Sequence, residues 1–263
     1  LMKAMMRYNG QFFLQEVYVD STKQLITRGE ETTPIEQLVV HPPVSGTVYG
    51  TLLNYKGELE ALGSAVCESP YQQPPKAPIL YIKPVNTINY HQASIPMPKE
   101  EDTLQIGAAL AVVIGKKASN VSKEEVQNYI LGYTIANDVS IPHSSVYRPA
   151  IKEKAQDGFC PIGPWIVDRK ELANPDDLDI TIHINGELKQ QQTTRNLIRP
   201  VAELIAEVTS FMTLFEGDTL LVGVPENPPL ARNGDVVKIT IAGIGSLENQ
   251  VIITKQPVKE NTI

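Results

Sequence analysis

Cysteine is almost missing from this chain: Cys67 and Cys160 are the only two, and neither sits in a C-x-x-C spacing. A disulfide framework and a thiolate zinc centre are therefore not expected, whereas a reducing cytoplasm is. No apolar run approaches the ~18–20 residues needed to cross a bilayer. Residues 1–10 lack the apolar stretch of a signal peptide, so a cytoplasmic setting is the expectation. Basic residues are neither in excess nor grouped, since 23 Lys and Arg stand against 30 Asp and Glu, a formal net charge of −7. Phosphate contacts need clustered cations, and nucleic acid is not an expected partner. There is no G-x-G-x-x-G, no Walker loop and no internal repeat, and strand–helix alternation is too sparse for a dinucleotide-binding sheet. These absences leave a soluble protein that handles a small molecule.

What is present points to a β-rich fold. The 263 residues, 42% of them hydrophobic, can bury a full core without staples. Twenty prolines against seventeen glycines imply many turns and little long helix. Short strands are expected over residues 12–19, 24–27 and 38–41, closed by Pro42-Pro43, and together these form a small N-terminal β module over residues 1–44. Residues 48–54 read as a strand, 58–65 as a helical turn or two, and the proline-rich 70–78 as loop. The apolar run 110–114 suits a strand buried on both faces. Ser122 and Glu125 have capping-box spacing, flanked by Val121 and Val126 as a hydrophobic staple. They predict a helix to about Leu131 that stops at Gly132, followed by a strand over 133–137. Leu178, Ile180, Ile182 and Ile184 alternate up to Asn185-Gly186, a hairpin signal. Val201, Leu204, Ile205, Val208, Phe211 and Met212 recur at helical spacing after Pro200, and strands are expected over 219–222, 236–241 and 247–254.

Several of these segments resemble the fumarylacetoacetate hydrolase superfamily. They are Leu110-Ala111-Val112-Val113-Ile114-Gly115, Tyr133-Thr134-Ile135-Ala136-Asn137-Asp138-Val139-Ser140, Phe159-Cys160-Pro161-Ile162-Gly163, Asn185-Gly186-Glu187 and Gly234-Asp235-Val236-Val237. Tyr81-Ile82-Lys83-Pro84 and Tyr147-Arg148-Pro149-Ala150-Ile151-Lys152 narrow the likeness. They resemble the N-terminal half of the bifunctional isomerase/decarboxylases of 4-hydroxyphenylacetate (homoprotocatechuate) degradation. The resemblance implies a mainly β fold with some α, a mixed β-sandwich roll over residues 45–254, followed by a tail over 255–263. It also implies pairing, either as a homodimer or as a heteromer with a metal-bearing paralogue.

The same resemblance marks the site. The superfamily holds a hard divalent cation with a Glu-x-Glu ahead of the 110–114 strand and the Asp of Asn-Asp-Val-Ser. Here Gly107 and Ala109 stand at the Glu positions, and Asp138 is the surviving ligand position. One carboxylate is a poor match for the near-octahedral oxygen shell of Mg²⁺, so weak Mg²⁺ or Mn²⁺ binding at Asp138 is the most that is expected. In the lid, Glu58 stands at the family's His position and Ala61 at its catalytic Glu. The resemblance implies Lys154, Asp138, Glu58 and Glu60 as acid–base or catalytic candidates, and Tyr55, Lys83, Arg148 and Lys154 as substrate contacts.

Plainer readings stand beside these. Asp138 could cap a turn or simply pair with Lys154, and the lysines and Arg148 could be solvated surface. Glu58 and Glu60 could be the wet face of a helix. His91 and His143 read as turn or surface residues, His183 as exposed, and Cys160 and Trp165 as packing. Functionally, the expectation is a subunit of a 2-oxo/2-hydroxy-dienoate decarboxylase/isomerase working on small polycarboxylates through enolate chemistry. The alternatives are a catalytically degenerate partner of a metal-bearing paralogue and, less favoured, an acylpyruvate-type C–C hydrolase.

Overall fold

The structure is a computed structural model that describes residues 1–69, 72–143 and 150–253. Its strands are β1 (Met2–Tyr8), β2 (Gln15–Asp20), β3 (Leu25–Arg28), β4 (Glu31–Pro34), β5 (Val40–His41), β6 (Val48–Leu52), β7 (Ile79–Lys83), β8 (Ile88–Asn89), β9 (Ser94–Met97) and β10 (Leu104–Gln105). They continue with β11 (Ala108–Ile114), β12 (Ile130–Asn137), β13 (Cys160–Asp168), β14 (Asp179–Ile184), β15 (Glu187–Thr193), β16 (Thr219–Leu221), β17 (Leu230–Ala231), β18 (Val236–Ile241) and β19 (Gly245–Ile253). Three α-helices join them: α1 (Lys56–Leu62), α2 (Ile151–Lys154) and α3 (Val201–Phe211).

The large sheet runs β4-β3-β2-β1-β13-β12-β11-β16-β6-β7, with β5 on β1 and β8 on β13. A second sheet runs β15-β14-β18-β19-β9, and β10 pairs with β17. The fold is mainly β with a few helices, as the turn and alternation pattern predicts. The N-terminal strands continue the main sheet, because Ala4 and Met5 of β1 face Val167 and Ile166 of β13.

The 110–114 run behaves as its composition demands. All of β11 is buried. Leu110, Val112 and Ile114 join the main core, while Ala109, Ala111 and Val113 join a smaller cluster on the opposite face. Helix α3 lays Val201, Leu204, Ile205 and Val208 on the main core, each burial contributing roughly 1.5–3 kcal/mol. The Asn185-Gly186 hairpin joins β14 to β15 with φ of 53° and 81°, the positive pair a type I′ turn requires. Trp165 is buried, and its indole N–H donates to Ile244 O at 2.8 Å.

Four expectations need correction. No α-helix follows Ser122. Ser122 Oγ does meet Glu125 Oε2 at 3.2 Å, but the chain makes only a 3₁₀ turn over Val126–Asn128 before β12 begins at Ile130. Tertiary pairing overrides the local cap, because β12 bonds along its length to β11 on one side and β13 on the other. Val121 and Val126 are still buried together in the core.

Gly132 is therefore not a helix stop. It lies inside β12, where an added Cβ would sit 2.0 Å from Val167 O and 2.7 Å from Ile166 Cγ2. The N-terminal strand is Met2–Tyr8, with Ala4 and Met6 fully buried, whereas Phe12 and Phe13 lie in an exposed connection. Phe211, read with the apolar stripe of α3, is exposed at the helix end.

Gly132→Ala should lower the unfolding free energy by about 3 kcal/mol, since the backbone carbonyl in its way belongs to the neighbouring strand. Urea denaturation followed by circular dichroism measures this, and an unchanged midpoint would contradict the close approach.

Candidate active site

Strand β12 ends at Asn137, and the chain turns there so that Asp138 N–H donates to Gly107 O at 2.8 Å while Asn137 Oδ1 accepts from Gly107 N–H at 3.1 Å. This pins the Asp138 carboxylate, which is fully buried. Three groups converge on it. Lys154 Nζ donates to Oδ2 at 2.7 Å, the Tyr81 hydroxyl donates to the same oxygen, and Lys83 Nζ lies 2.9 Å from Oδ1. The Lys83 contact is an ion pair rather than an aligned hydrogen bond. Its hydrogens go to the carbonyls of Lys154 at 2.6 Å and Val139 at 3.3 Å.

Lys83 is thus sealed behind Asp138, tying α2 to the end of β12. Lys154 reaches the same carboxylate from α2 with 15% of its side chain exposed, its ammonium 5.1 Å from the Tyr81 ring centroid.

The electrostatics follow from this geometry. Burial alone would raise Asp138, but the charges of Lys154 and Lys83, with hydrogen bonds from Lys154 and Tyr81, hold it well below the usual carboxylate range. Burial, then the Asp138 charge, pushes the Tyr81 phenol far up. With two ammonium groups on one carboxylate, the cluster carries a net positive charge that faces a cavity of about 210 Å³. That is smaller than the ~300 Å³ and upward of drug-sized ligand sites and suits a small molecule.

Across the cavity stands Glu58, at the third position of α1, its Oε2 accepting the Tyr55 N–H at 3.4 Å. Burial pushes its carboxyl up to about 7, with the nearby Glu226 charge adding to the rise. The Tyr55 and Asn54 amides and the Lys154 charge oppose the rise.

Of the residues singled out from the sequence, Asp138, Lys154 and Glu58 meet at this cleft, and Gly107, Ala61 and His143 line it. Lys83 joins from behind as a buried support. Tyr55 does not reach the cleft: its side chain is in the core, its hydroxyl is buried without a hydrogen-bond partner, and burial raises its pKa. Glu60 is exposed on the outer side of α1 and lies outside the lining. Arg148 falls outside the described residues. Ala109 lies within β11, buried and paired in register with Ala136.

The remaining readings settle simply. His91 is buried against β19, where its Nδ1 accepts the Glu248 N–H at 3.1 Å, and burial lowers it to about 4. His183 is half-buried on β14 rather than exposed. Cys160 is buried, which raises its thiol to about 12 and leaves no thiolate to act as nucleophile.

Two cleft residues escaped the sequence reading. Tyr81 had a signal available, since it stands two residues before Lys83 on β7 and so on the same face. Glu226 had none: it comes from the loop between β16 and β17 and meets the cleft only through the fold.

The donor set can be weighed against the family's divalent cation. Both Asp138 oxygens are engaged by ammonium groups, and Gly107 and Ala109 offer no oxygen side chain. A Cβ at Gly107 would lie 2.5 Å from Asp138 O. Among the described residues, no group of three or more His, Cys, Asp or Glu is placed to hold an ion. The arrangement does not fit a hard dication.

Lys83→Met should cost about 3–5 kcal/mol of stability, because it leaves the buried carboxylate short of a partner. The linkage has a definite sign. A folded-state pKa held below the unfolded value gives stability that is full above about pH 4 and lost only as the pH falls through the depressed folded value. Asp138→Asn should therefore flatten the acid limb of a stability-against-pH curve, and a curve that keeps its acid limb would contradict the ion pairing.

Comparison with known proteins places this geometry. Residues 47–252 match the model of the fumarylacetoacetate (FAA) hydrolase C-terminal domain. The 4-hydroxyphenylacetate degradation bifunctional isomerase/decarboxylase of Escherichia coli is 41% identical over 209 residues, 80% of this chain and 48% of that protein. Its Salmonella dublin counterpart is 39% identical over 219 residues, 83% of this chain and 50% of the relative. The chain thus spans about half the length of these relatives.

Among solved structures, 5-carboxymethyl-2-hydroxymuconate delta-isomerase from Mycobacterium smegmatis superposes with a TM-score of 0.78 at 27% identity, covering 97% of this chain and 100% of that one. The 2-hydroxyhepta-2,4-diene-1,7-dioate isomerase from Mycobacterium marinum gives 0.76 at 25% identity, with the same coverage. No described helix is long and apolar enough to cross a membrane. With its sheet order, its cleft at the end of β12 and this extent of likeness, the chain belongs to the fumarylacetoacetate hydrolase family.

Proposed function

We propose that this chain carries out enolate chemistry on a small 2-oxo or 2-hydroxy-dienoate polycarboxylate of aromatic catabolism, with enol–keto tautomerisation as its reaction. The observation that carries this reading is the pairing of Lys154 and Glu58 across one small cleft. An enolate holds its negative charge on oxygen, and a carboxylate substrate brings more. Lys154 offers a cation already oriented by Asp138 and Tyr81, so little reorganisation is needed when charge develops. A carboxyl pushed up to about 7 is present in both forms near neutral pH, which suits a group that gives a proton to carbon and takes it back.

In ketonisation the C=C electron pair takes a proton from Glu58, the enol O–H proton passes to solvent water as the C=O forms with its oxygen facing Lys154, and the Glu58 carboxylate takes a proton back from solvent. Decarboxylation of a 2-oxo acid passes through the same enolate and would use the same two groups. The degenerate-partner reading draws on Gly107 and Ala109, and a homodimer or a heteromer with a metal-bearing paralogue suits either reading. Hydrolysis of an acylpyruvate is disfavoured, because Ala61 lines the cleft where that chemistry would want a carboxylate. A cytoplasmic site of action agrees with such metabolism. No tightly bound cofactor is part of this reading, and calorimetry with Mg²⁺ or Mn²⁺ should give a weak site at Asp138 or none.

The test uses 2-hydroxyhepta-2,4-dienedioate, whose ketonisation is followed by loss of its dienol absorbance. The chain should accelerate that loss over buffer, and Glu58→Gln and Lys154→Met should each slow it by roughly 100-fold. The protonated form of Glu58 is the donor, so the rate should fall as pH rises through about 7. A chain no faster than buffer, or a Glu58→Gln variant equal to the parent, would overturn the proposal.

A further inference from the structure

One carboxyl group of the cleft has no part in the reaction as described. Glu226 is held firmly from β15: its Oε1 accepts from Gln192 Nε2 at 2.7 Å, and Gln190 Nε2 grips the carbonyls of Glu226 and Asn227 at 2.7 and 3.2 Å. Its other oxygen, Oε2, is buried and has no partner among the hydrogen bonds of the structure. A buried acceptor left empty keeps its full desolvation cost, so a hydrogen is wanted at that atom.

The carboxyl lies directly on the backbone of α1. A Cβ added to Gly57 would sit 2.1 Å from Glu226 Cδ and 2.3 Å from its Oε2. Gly57 immediately precedes Glu58, whose own carboxyl folds back to the Tyr55 amide across the same turn. Both carboxyl groups therefore lie at the first turn of α1, and both line the cleft.

We propose that Glu226 is a positioning residue for Glu58: the two carboxyl groups share one hydrogen, carried by Glu58 and accepted by Glu226 Oε2. This rests on the reading of Glu58 as the proton-transfer group and names what keeps it loaded and aimed. A second carboxylate at the same helix turn opposes ionisation of Glu58. Burial is the largest cause of the upward push on Glu58, and the Glu226 charge adds to it. The other groups facing Glu58 are the Lys154 ammonium from α2, the Tyr81 phenol from β7, the Tyr55 phenol at the head of its own helix and His143 on the cleft wall. Gly57 belongs to the device, since a side chain there would drive the Glu226 carboxyl away.

The experiment is a carbon-detected NMR titration of the full chain labelled with ¹³C at glutamate Cδ, with no ligand added. Glu58 should titrate near neutral pH, and the Glu226 resonance should show an inflection at the same pH, because the hydrogen it accepts is lost there. Glu226→Gln should move the Glu58 midpoint down by roughly one pH unit. Gly57→Ala, which displaces Glu226 without changing any charge, should move it in the same direction, and Glu58→Gln should erase the inflection on Glu226. A Glu58 midpoint that stays put in both Glu226→Gln and Gly57→Ala, with folded spectra, would overturn the pairing. So would a parent chain in which Glu58 titrates as an ordinary carboxylate. A chain with the coupled titration but no ketonisation would keep the pair and lose the proposed reaction, and the reverse result would lose the pair alone.

Discussion

The architecture of the site depends on one buried carboxylate and the two ammonium groups that neutralise it. Asp138 cannot stay ionised inside a protein unless its desolvation is offset, and attraction at 2.7–2.9 Å from Lys154 and Lys83 does that. The arrangement reaches further than the charge. Lys83 also donates to the carbonyls of Val139 and Lys154, so a single side chain from β7 fastens the end of β12 to α2. Tyr81, two residues earlier on the same face, adds its hydroxyl to Asp138 and its ring to Lys154. Three segments distant in sequence are locked to one point, and Lys154, Tyr81 and Asp138 are what the cleft sees of it.

The cleft that results is divided by charge. One wall carries the surplus ammonium of the Asp138 cluster, and the other carries Glu58 and Glu226 at the first turn of α1. A hard dication would need oxygen ligands where Gly107 and Ala109 now stand. The backbone at Gly107 has closed on Asp138, leaving no room even for a Cβ without movement. With both Asp138 oxygens facing ammonium groups, the position is a fixed cationic one. A fixed cation and a carboxyl poised near neutrality are sufficient for moving protons next to a carbonyl.

Rigid support makes this possible. Strand β11 is buried on both faces, so Gly107 at its start and Asn137-Asp138 at the end of its partner β12 are held by packed sheet rather than by loop. By contrast, α1 is short and half-exposed, and its head is tied down by Asn54, whose side chain bonds the backbone of Arg199 and Val222, and by the buried Tyr55.

Much of this was legible in the sequence, for physical reasons that can be named. Alternation along residues 178–184, the Asn185-Gly186 turn, the apolar run of β11 and the 3.6-residue stripe of α3 are local signals, and each appears as read save for Phe211 at the end of the stripe. Asp138, Lys154 and Glu58 were identified because their neighbours carry family motifs, and Gly107 and Ala109 because the expected carboxylates were absent. What only the tertiary structure decided is of a different kind. The Ser122 cap nucleates no helix because pairing of β12 with two neighbours outweighs a local preference. Tyr55 sinks into the core and Glu60 turns outward because the faces of a two-turn helix cannot all point at one cleft. Glu226 enters the site from a loop more than 160 residues beyond Glu58, which no spacing rule can anticipate, since the contact exists only once Gly57 leaves a gap for its carboxyl. Sequence by itself determines which segments can pair and which side chains can carry charge. Only the packed fold decides which of those charges are desolvated together, because burial is a property of all the neighbours at once.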